Sequence, residues 1–202
     1  DILMDKNQKH KESMQKQKEK IDANIESASI ERGVSILLTG NGKGKSSSAF
    51  GMVMRALGYG HKVAVVQFIK GQQLSGEELY IKNQYPDMYF YQMGTGFTWD
   101  TQDRTADIEA AQTTWLKVVP LLQDASYDLV VLDELTYMLA FKYLDEEMIL
   151  TALKNRPESQ SLVVTGRGGG SALQDIMDTV SEVKDIKHAY NSGIKARQGV
   201  DY

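Results

Sequence analysis

The chain has 202 residues, 42% of them hydrophobic and 25% charged, with a formal net charge of −4. That length suffices for one domain with a proper core, and the acidic balance argues against a nucleic-acid binder, which carries a basic excess. Cysteine is absent, which excludes disulfides, thiolate metal sites and a cysteine nucleophile, and fits a reducing compartment.

No apolar run approaches the ~20 residues needed to cross a bilayer. The lysine-rich start lacks the apolar core of a signal peptide, so a cytoplasmic protein with no membrane partner is expected. Residues 1–33 read as an arm. Between Lys6 and Lys20 there are six lysines against two glutamates, with no glycine or proline. Met14, Ile21, Ile25 and Ala28 form a thin apolar stripe at helical spacing. Such an arm is either solvated, or a helix that docks its stripe on this domain or on a partner subunit. Either reading leaves residues 34–202 as the compact domain.

The first β-rich run, Ser35–Gly40, leads into Gly40-Asn41-Gly42-Lys43-Gly44-Lys45-Ser46-Ser47, and a predicted helix follows over Lys45–Leu57. A buried strand, a glycine-rich turn and a helix N-terminus together suit phosphate. Glycines let backbone N–H groups turn inward, and the helix end adds partial positive charge. Lys45 can reach the phosphates and the Ser46 hydroxyl can ligate magnesium. The standard spacing would need glycine where Thr39 stands, so the loop is one residue short. Arg55, on the same predicted helix, is a candidate nucleotide contact.

Four further runs follow: Lys62–Phe68, Met88–Met93, Asp128–Glu134 and Ser161–Gly166. VAVV and LVVL are continuously apolar, as expected of strands covered on both faces. Helices are predicted over Thr101–Val119, where Pro120 should end or kink the element, and over Asp145–Lys154 and Ser171–Met177. Strand and helix in alternation mean an α/β fold of the P-loop NTPase-like (RecA-like) kind, a mostly parallel sheet with helices on both faces.

Asp133 and Glu134 end the Leu129-Val130-Val131-Leu132 run, where a carboxylate holds magnesium directly or through water and another can activate water. Either role is open for either residue. Phe97 and Trp99 sit on a glycine-hinged segment after the third strand, where ligands bind in open α/β sheets. Gln67, Lys70, Thr165 and Arg167 follow strands two and five at the same sheet edge. His10, His61 and His188 show no metal-ligand spacing and receive no role.

With these motifs in view, the chain resembles the P-loop type of ATP:corrinoid adenosyltransferase (cob(I)yrinic acid a,c-diamide adenosyltransferase). The resemblance runs from about Glu31 onward and rests on ERG, TGNGKGKS, VVQFIKG, TGFTWDTQ, VVLDELTYM, VVTGRG, DTVSE and KHAYNSGIKARQGVDY, in that order. The shortened loop is a feature of that family. Gly169-Gly170 depart from it, where bulkier or polar residues are more usual.

The resemblance implies transfer of the 5′-deoxyadenosyl group of ATP to the cobalt of a reduced corrinoid, with release of triphosphate. It places Asn41, Gly42, Lys43, Gly44, Lys45, Ser46 and Ser47 around the triphosphate, with Lys45 its main cation. Ser46 and Glu134 match the magnesium ligands, and Phe97 and Trp99 match aromatics that shield the lower face of cobalt. It also implies a homodimer whose N-terminal helix covers the partner's site, and a flavoprotein or other reductant for the cobalt. Two other functions share these features: a RecA-like ATPase, and a nucleotide-gated corrinoid carrier.

Overall fold

A run such as Val63-Ala64-Val65-Val66 has no polar face to offer water, so it must lie inside a sheet covered on both sides. That is its place in the computed structural model, which describes residues 2–69, 71, 74–94 and 103–202. Six strands pair in parallel: β1 (Ser35–Thr39), β2 (Val63–Gln67), β3 (Tyr89–Gln92), β4 (Leu129–Asp133), β5 (Ser161–Thr165) and β6 (Thr179–Glu182). Their order across the sheet is β3-β2-β4-β5-β1-β6.

Seven α-helices accompany them among the described residues. They are α1 (Ile2–Ser27), α2 (Lys45–Gly58), α3 (Gly76–Gln84), α4 (Arg104–Gln123), α5 (Thr136–Ala140), α6 (Glu146–Lys154) and α7 (Gly170–Asp175). Alternate residues of each central strand feed opposite cores. Ala64, Val66, Val130 and Leu132 pack with Trp115, Val118, Met138, Ile149 and Leu173 from α4 to α7. Val63, Val65, Leu129 and Val131 pack with Ala49, Phe50 and Val53 of α2 and Ile81 of α3. The fold is therefore α/β with helices on both faces.

Residues 1–31 and 32–202 form two separate units. In the first, α1 carries an Asp5–Lys9 pair at 2.8 Å, and Met14, Ile21 and Ile25 are exposed. Ala28 lies one residue past its end. No helix among the described residues is long and apolar enough to cross a membrane.

The sequence expectations need four corrections. The helix expected to end or kink at Pro120 does not end there but continues to Gln123. Pro120 and Leu116, whose carbonyl would have accepted the missing N–H, are both exposed residues, where the loss of that bond costs least. Three elements were not anticipated: α3, α5 and β6. The edge strand β6 is exposed throughout and shows no apolar run. Helix α3 did announce itself, since Ser75 caps it by accepting from the N–H of Glu78 at 3.1 Å, the S-x-x-E capping signature.

Arg32 and Asp178 fasten the start of β1 to the start of β6. Arg32 donates to both oxygens of Asp178, at 2.9 and 2.5 Å, and the N–H and hydroxyl of Ser35 donate to Asp178 Oδ2 at 2.8 and 2.9 Å. The guanidinium and these donors hold the Asp178 carboxyl well below the usual carboxylate range. A lowered folded value adds stability above the ordinary carboxylate pKa, and that stability is lost as pH falls through the folded value. Asp178→Asn is expected to melt lower than the parent chain at pH 7, with the gap narrowing as the pH drops below 4.

Gly168, Gly169 and Gly170 have φ of 74°, 98° and 82°, in the left-handed region that side chains avoid. A Cβ on Gly169 would stand 3.0 Å from both Leu173 and Thr136. The glycine pair thus suits this chain's tight entry into α7.

Candidate functional site

The carboxyl ends of β1, β2, β4 and β5 open onto a cleft of about 720 Å³, the usual ligand position in an open α/β sheet and ample for a nucleotide. The phosphate loop from Asn41 to Ser47 lines it, facing Gln67, Asp133, Glu134 and Arg167.

The loop's glycines are needed for close approach. The N–H of Gly42 donates to the carbonyl of Val183 at 2.7 Å, and a Cβ there would stand 2.6 Å from the carbonyl oxygen of Lys184. Gly40 has φ 98°, and a Cβ there would lie 2.3 Å from Val183 O. The chain leaving β6 is therefore packed directly on the loop. Gly44, with φ 125°, makes the turn into α2.

Lys45 is buried, 7% exposed, and its Nζ donates to the carbonyl of Gly42 at 2.8 Å. Burial pushes its pKa down, while Glu134 and Asp133 work against that shift. A desolvated cation on a loop that lines the cleft is a ready counter-ion for a polyanion.

The two carboxylates of the β4 end divide their tasks. Asp133 is enclosed: its Oδ1 accepts from Ser46 at 2.9 Å and from Thr165 at 2.6 Å, and its Oδ2 accepts from Gln67 at 3.0 Å. Glu134 takes the left-handed φ of 62°, rare for a side-chain-bearing residue. Its N–H is anchored on Thr165 at 3.0 Å. Its buried Oε2 has no hydrogen-bond partner among the described residues. Burial, and then the neighbouring Asp133, push its carboxyl up to about 7. A left-handed backbone thus holds against the cleft a carboxyl whose charge is disfavoured by burial, with one oxygen unpartnered among the described residues.

No group of three or more His, Cys, Asp or Glu side chains that could hold a metal occurs among the described residues. Magnesium does not require one, since it binds through one or two carboxylates with phosphates and waters completing its shell. The unpartnered Glu134 oxygen and the Ser46 hydroxyl, whose proton points at Asp133, fit that demand.

Of the remaining sequence candidates, Arg167 lines the cleft, and Thr165 serves it by holding Asp133 and the Glu134 N–H. Arg55 is exposed on α2 and does not line the cleft. Phe97, Trp99 and Lys70 lie outside the described residues. Sequence reasoning missed His188, Asp201 and Tyr202, which line the cleft from a segment beyond β6. Lys43 of the loop pairs there with Asp201 at 3.0 Å. Only the resemblance of KHAYNSGIKARQGVDY marked that segment; its charges have no spacing that points at the loop.

The sequence model of the family described as ATP:corrinoid adenosyltransferase BtuR/CobO/CobP matches residues 31–202. A corrinoid adenosyltransferase of Pseudomonas aeruginosa is 48% identical over 198 residues, covering 98% of both chains. One from Escherichia coli (strain K12) is 46% identical over 195 residues, covering 96% of this chain and 98% of its own. One from a Sinorhizobium species is 39% identical over 196 residues, covering 96% and 92%.

Proposed function

This chain belongs to the ATP:corrinoid adenosyltransferase family, and from that premise we propose how the cleft carries out adenosyl transfer from ATP to a corrinoid. The observation that carries the reading is that the buried Lys45, on a one-residue-short glycine-rich loop, lines the same cleft as the unpartnered Glu134 oxygen. The cobalt(I) of a reduced corrinoid supplies an electron pair to C5′ of ATP. A cobalt–carbon bond forms, the C5′–O bond breaks, and its electron pair leaves with triphosphate.

Cobalt(I) is itself a strong nucleophile, so the protein need supply neither a nucleophile nor a general base. Its tasks are to align C5′ and to stabilise charge on the departing triphosphate. Lys43, Lys45 and the loop from Asn41 to Ser47 take the second task. Ser46 and Glu134 would hold magnesium, which when bound neutralises phosphate charge. Asp133, whose oxygens already accept from three side chains, is given the task of orienting the Ser46 hydroxyl. Phe97 and Trp99 are assigned to the corrinoid side, where they would exclude water and a lower ligand from cobalt.

The same reading extends to a homodimer in which the exposed stripe of α1 covers the partner's cleft, and to a flavoprotein or other reductant that delivers cobalt(I). An anaerobic assay with ATP, magnesium, a chemical reductant and cobalamin is expected to develop the absorbance bands of a cobalt–carbon bond. ADP and phosphate as the only products would indicate an ATPase. Tight corrinoid binding without a cobalt–carbon bond would indicate a carrier. Trp99→Ala is expected to leave ATP affinity nearly intact while slowing turnover.

Asp201 pairs with the Lys43 ammonium and so competes with phosphate for its charge. Asp201→Asn is therefore expected to tighten ATP binding about 2- to 5-fold, the scale of an exposed ion pair. Calorimetric titration checks it, and weaker binding would mean that Asp201 orders the loop for nucleotide.

A further inference from the structure

The parallel register sets Gln92, Gln67 and Asp133, the last residues of β3, β2 and β4, side by side along the cleft edge. Their side chains form one continuous string of hydrogen bonds. Gln67 Nε2 donates to Asp133 Oδ2 at 3.0 Å, and Gln67 Oε1 accepts from Gln92 Nε2 at 2.8 Å. The same Gln92 nitrogen donates to Glu78 Oε2 at 2.8 Å, and Glu78 Oε1 pairs with Lys82. At the other end Asp133 Oδ1 accepts from Ser46.

The direction of this string is forced. Both ends are carboxylates, which only accept when ionised. Gln67 must turn its NH2 to Asp133, so its carbonyl faces Gln92. Gln92 must then give one N–H to Gln67 and the other to Glu78. Flipping either amide would set two acceptors against each other. Asp133, Gln67 and Glu78 are 3%, 9% and 2% exposed, so such a mismatch would be costly.

A hydroxyl that ligates a cation must send its own proton elsewhere, and Ser46 sends its proton to Asp133. We propose that Gln92, acting through Gln67 and Asp133, is a positioning residue for the Ser46 hydroxyl and so for the magnesium–triphosphate end of ATP. The inference rests on the reading that Ser46 faces that magnesium. Gln92 touches no reacting atom. It fixes which way Gln67 points, and Gln67 fixes the carboxylate that takes the Ser46 proton.

The test is calorimetric ATP binding across a magnesium titration, with the corrinoid KM measured in parallel. In Gln92→Leu, which removes the amide and leaves a shorter apolar side chain, the magnesium concentration for half-maximal ATP binding is expected to rise about 5- to 30-fold, the scale of one buried hydrogen bond lost. The corrinoid KM should stay unchanged. In an Asp133→Asn background the same substitution should add almost nothing, because the string is already cut; a merely structural residue would cost the same in both backgrounds. If Gln92→Leu does not fold, Gln92→Asn, too short to reach both Gln67 and Glu78, gives the same readout with a smaller change. An unchanged magnesium requirement, an equal rise in the corrinoid KM, or full additivity with Asp133→Asn overturns the proposal. Magnesium-independent ATP binding by the parent chain would instead remove the reading on which it rests.

Discussion

Lys45→Ala is expected to weaken ATP binding by a factor of about 10² to 10³ and to reduce adenosyl transfer to background. Lys45 is almost wholly buried and already short of solvation, so its attraction for phosphate is screened little. A pair of unit charges 4 Å apart is worth about 4 kcal/mol at the effective dielectric of such sites, and about 1.4 kcal/mol is a tenfold change in affinity. Loss of the ammonium also strips Glu134 of a cation that favours its charged form. The effect should fall on ATP binding and on turnover together, because triphosphate is held both as substrate and as leaving group. Calorimetry with ATP and magnesium checks it. ATP affinity within about threefold of the parent chain would mean that the loop does not grip the phosphates.

Glu134→Gln should separate stability from function. In the ligand-free chain burial lifts the Glu134 carboxyl to about 7, against an ordinary 4.5. Between those values the folded chain holds a proton that the unfolded chain has released. Stability therefore falls as pH rises from 4.5 through 7, and stays lowered above. A glutamine cannot ionise and escapes this loss. At pH 8 the variant should be more stable than the parent by up to about 3 kcal/mol, and the advantage should disappear near pH 4.5. Adenosyl transfer should nevertheless collapse, since an amide oxygen replaces the free carboxylate at the proposed magnesium position. Denaturant melts at pH 4.5 and 8 decide it. No gain at pH 8 would mean that Glu134 is solvated and ionised in the empty cleft. A site that is costly to the fold when charged is expected where function, not packing, sets the residue.

What could be read in the sequence was whatever is encoded locally. The buried runs, the glycine loop and the Lys45–Ser46 helix start each lie within a dozen residues, and the alternation of strand and helix implied the parallel sheet. Features that depend on distant partners were not legible. The chain leaving β6 packs on Gly40 and Gly42, yet TVSE has neither the apolar run of a covered strand nor the alternation of a half-buried one. Apart from the resemblance, nothing local distinguishes Asp133 from Glu134; Ser46, Gln67 and Thr165, each more than thirty positions away in the chain, hydrogen-bond both oxygens of Asp133, while Glu134 Oε2 has no such partner among the described residues. The Lys43–Asp201 pair joins positions at opposite ends of the domain. Helix α3 is different, because its Ser75-x-x-Glu78 capping signature is local and readable in the sequence.

The loop is one residue short and packs on Val183. The claim that it holds triphosphate as a leaving group is tested most directly by phosphorus NMR of a complete turnover. Intact triphosphate in equal amount to the adenosylated corrinoid is the predicted result. ADP with orthophosphate, formed whether or not corrinoid is present, would contradict it.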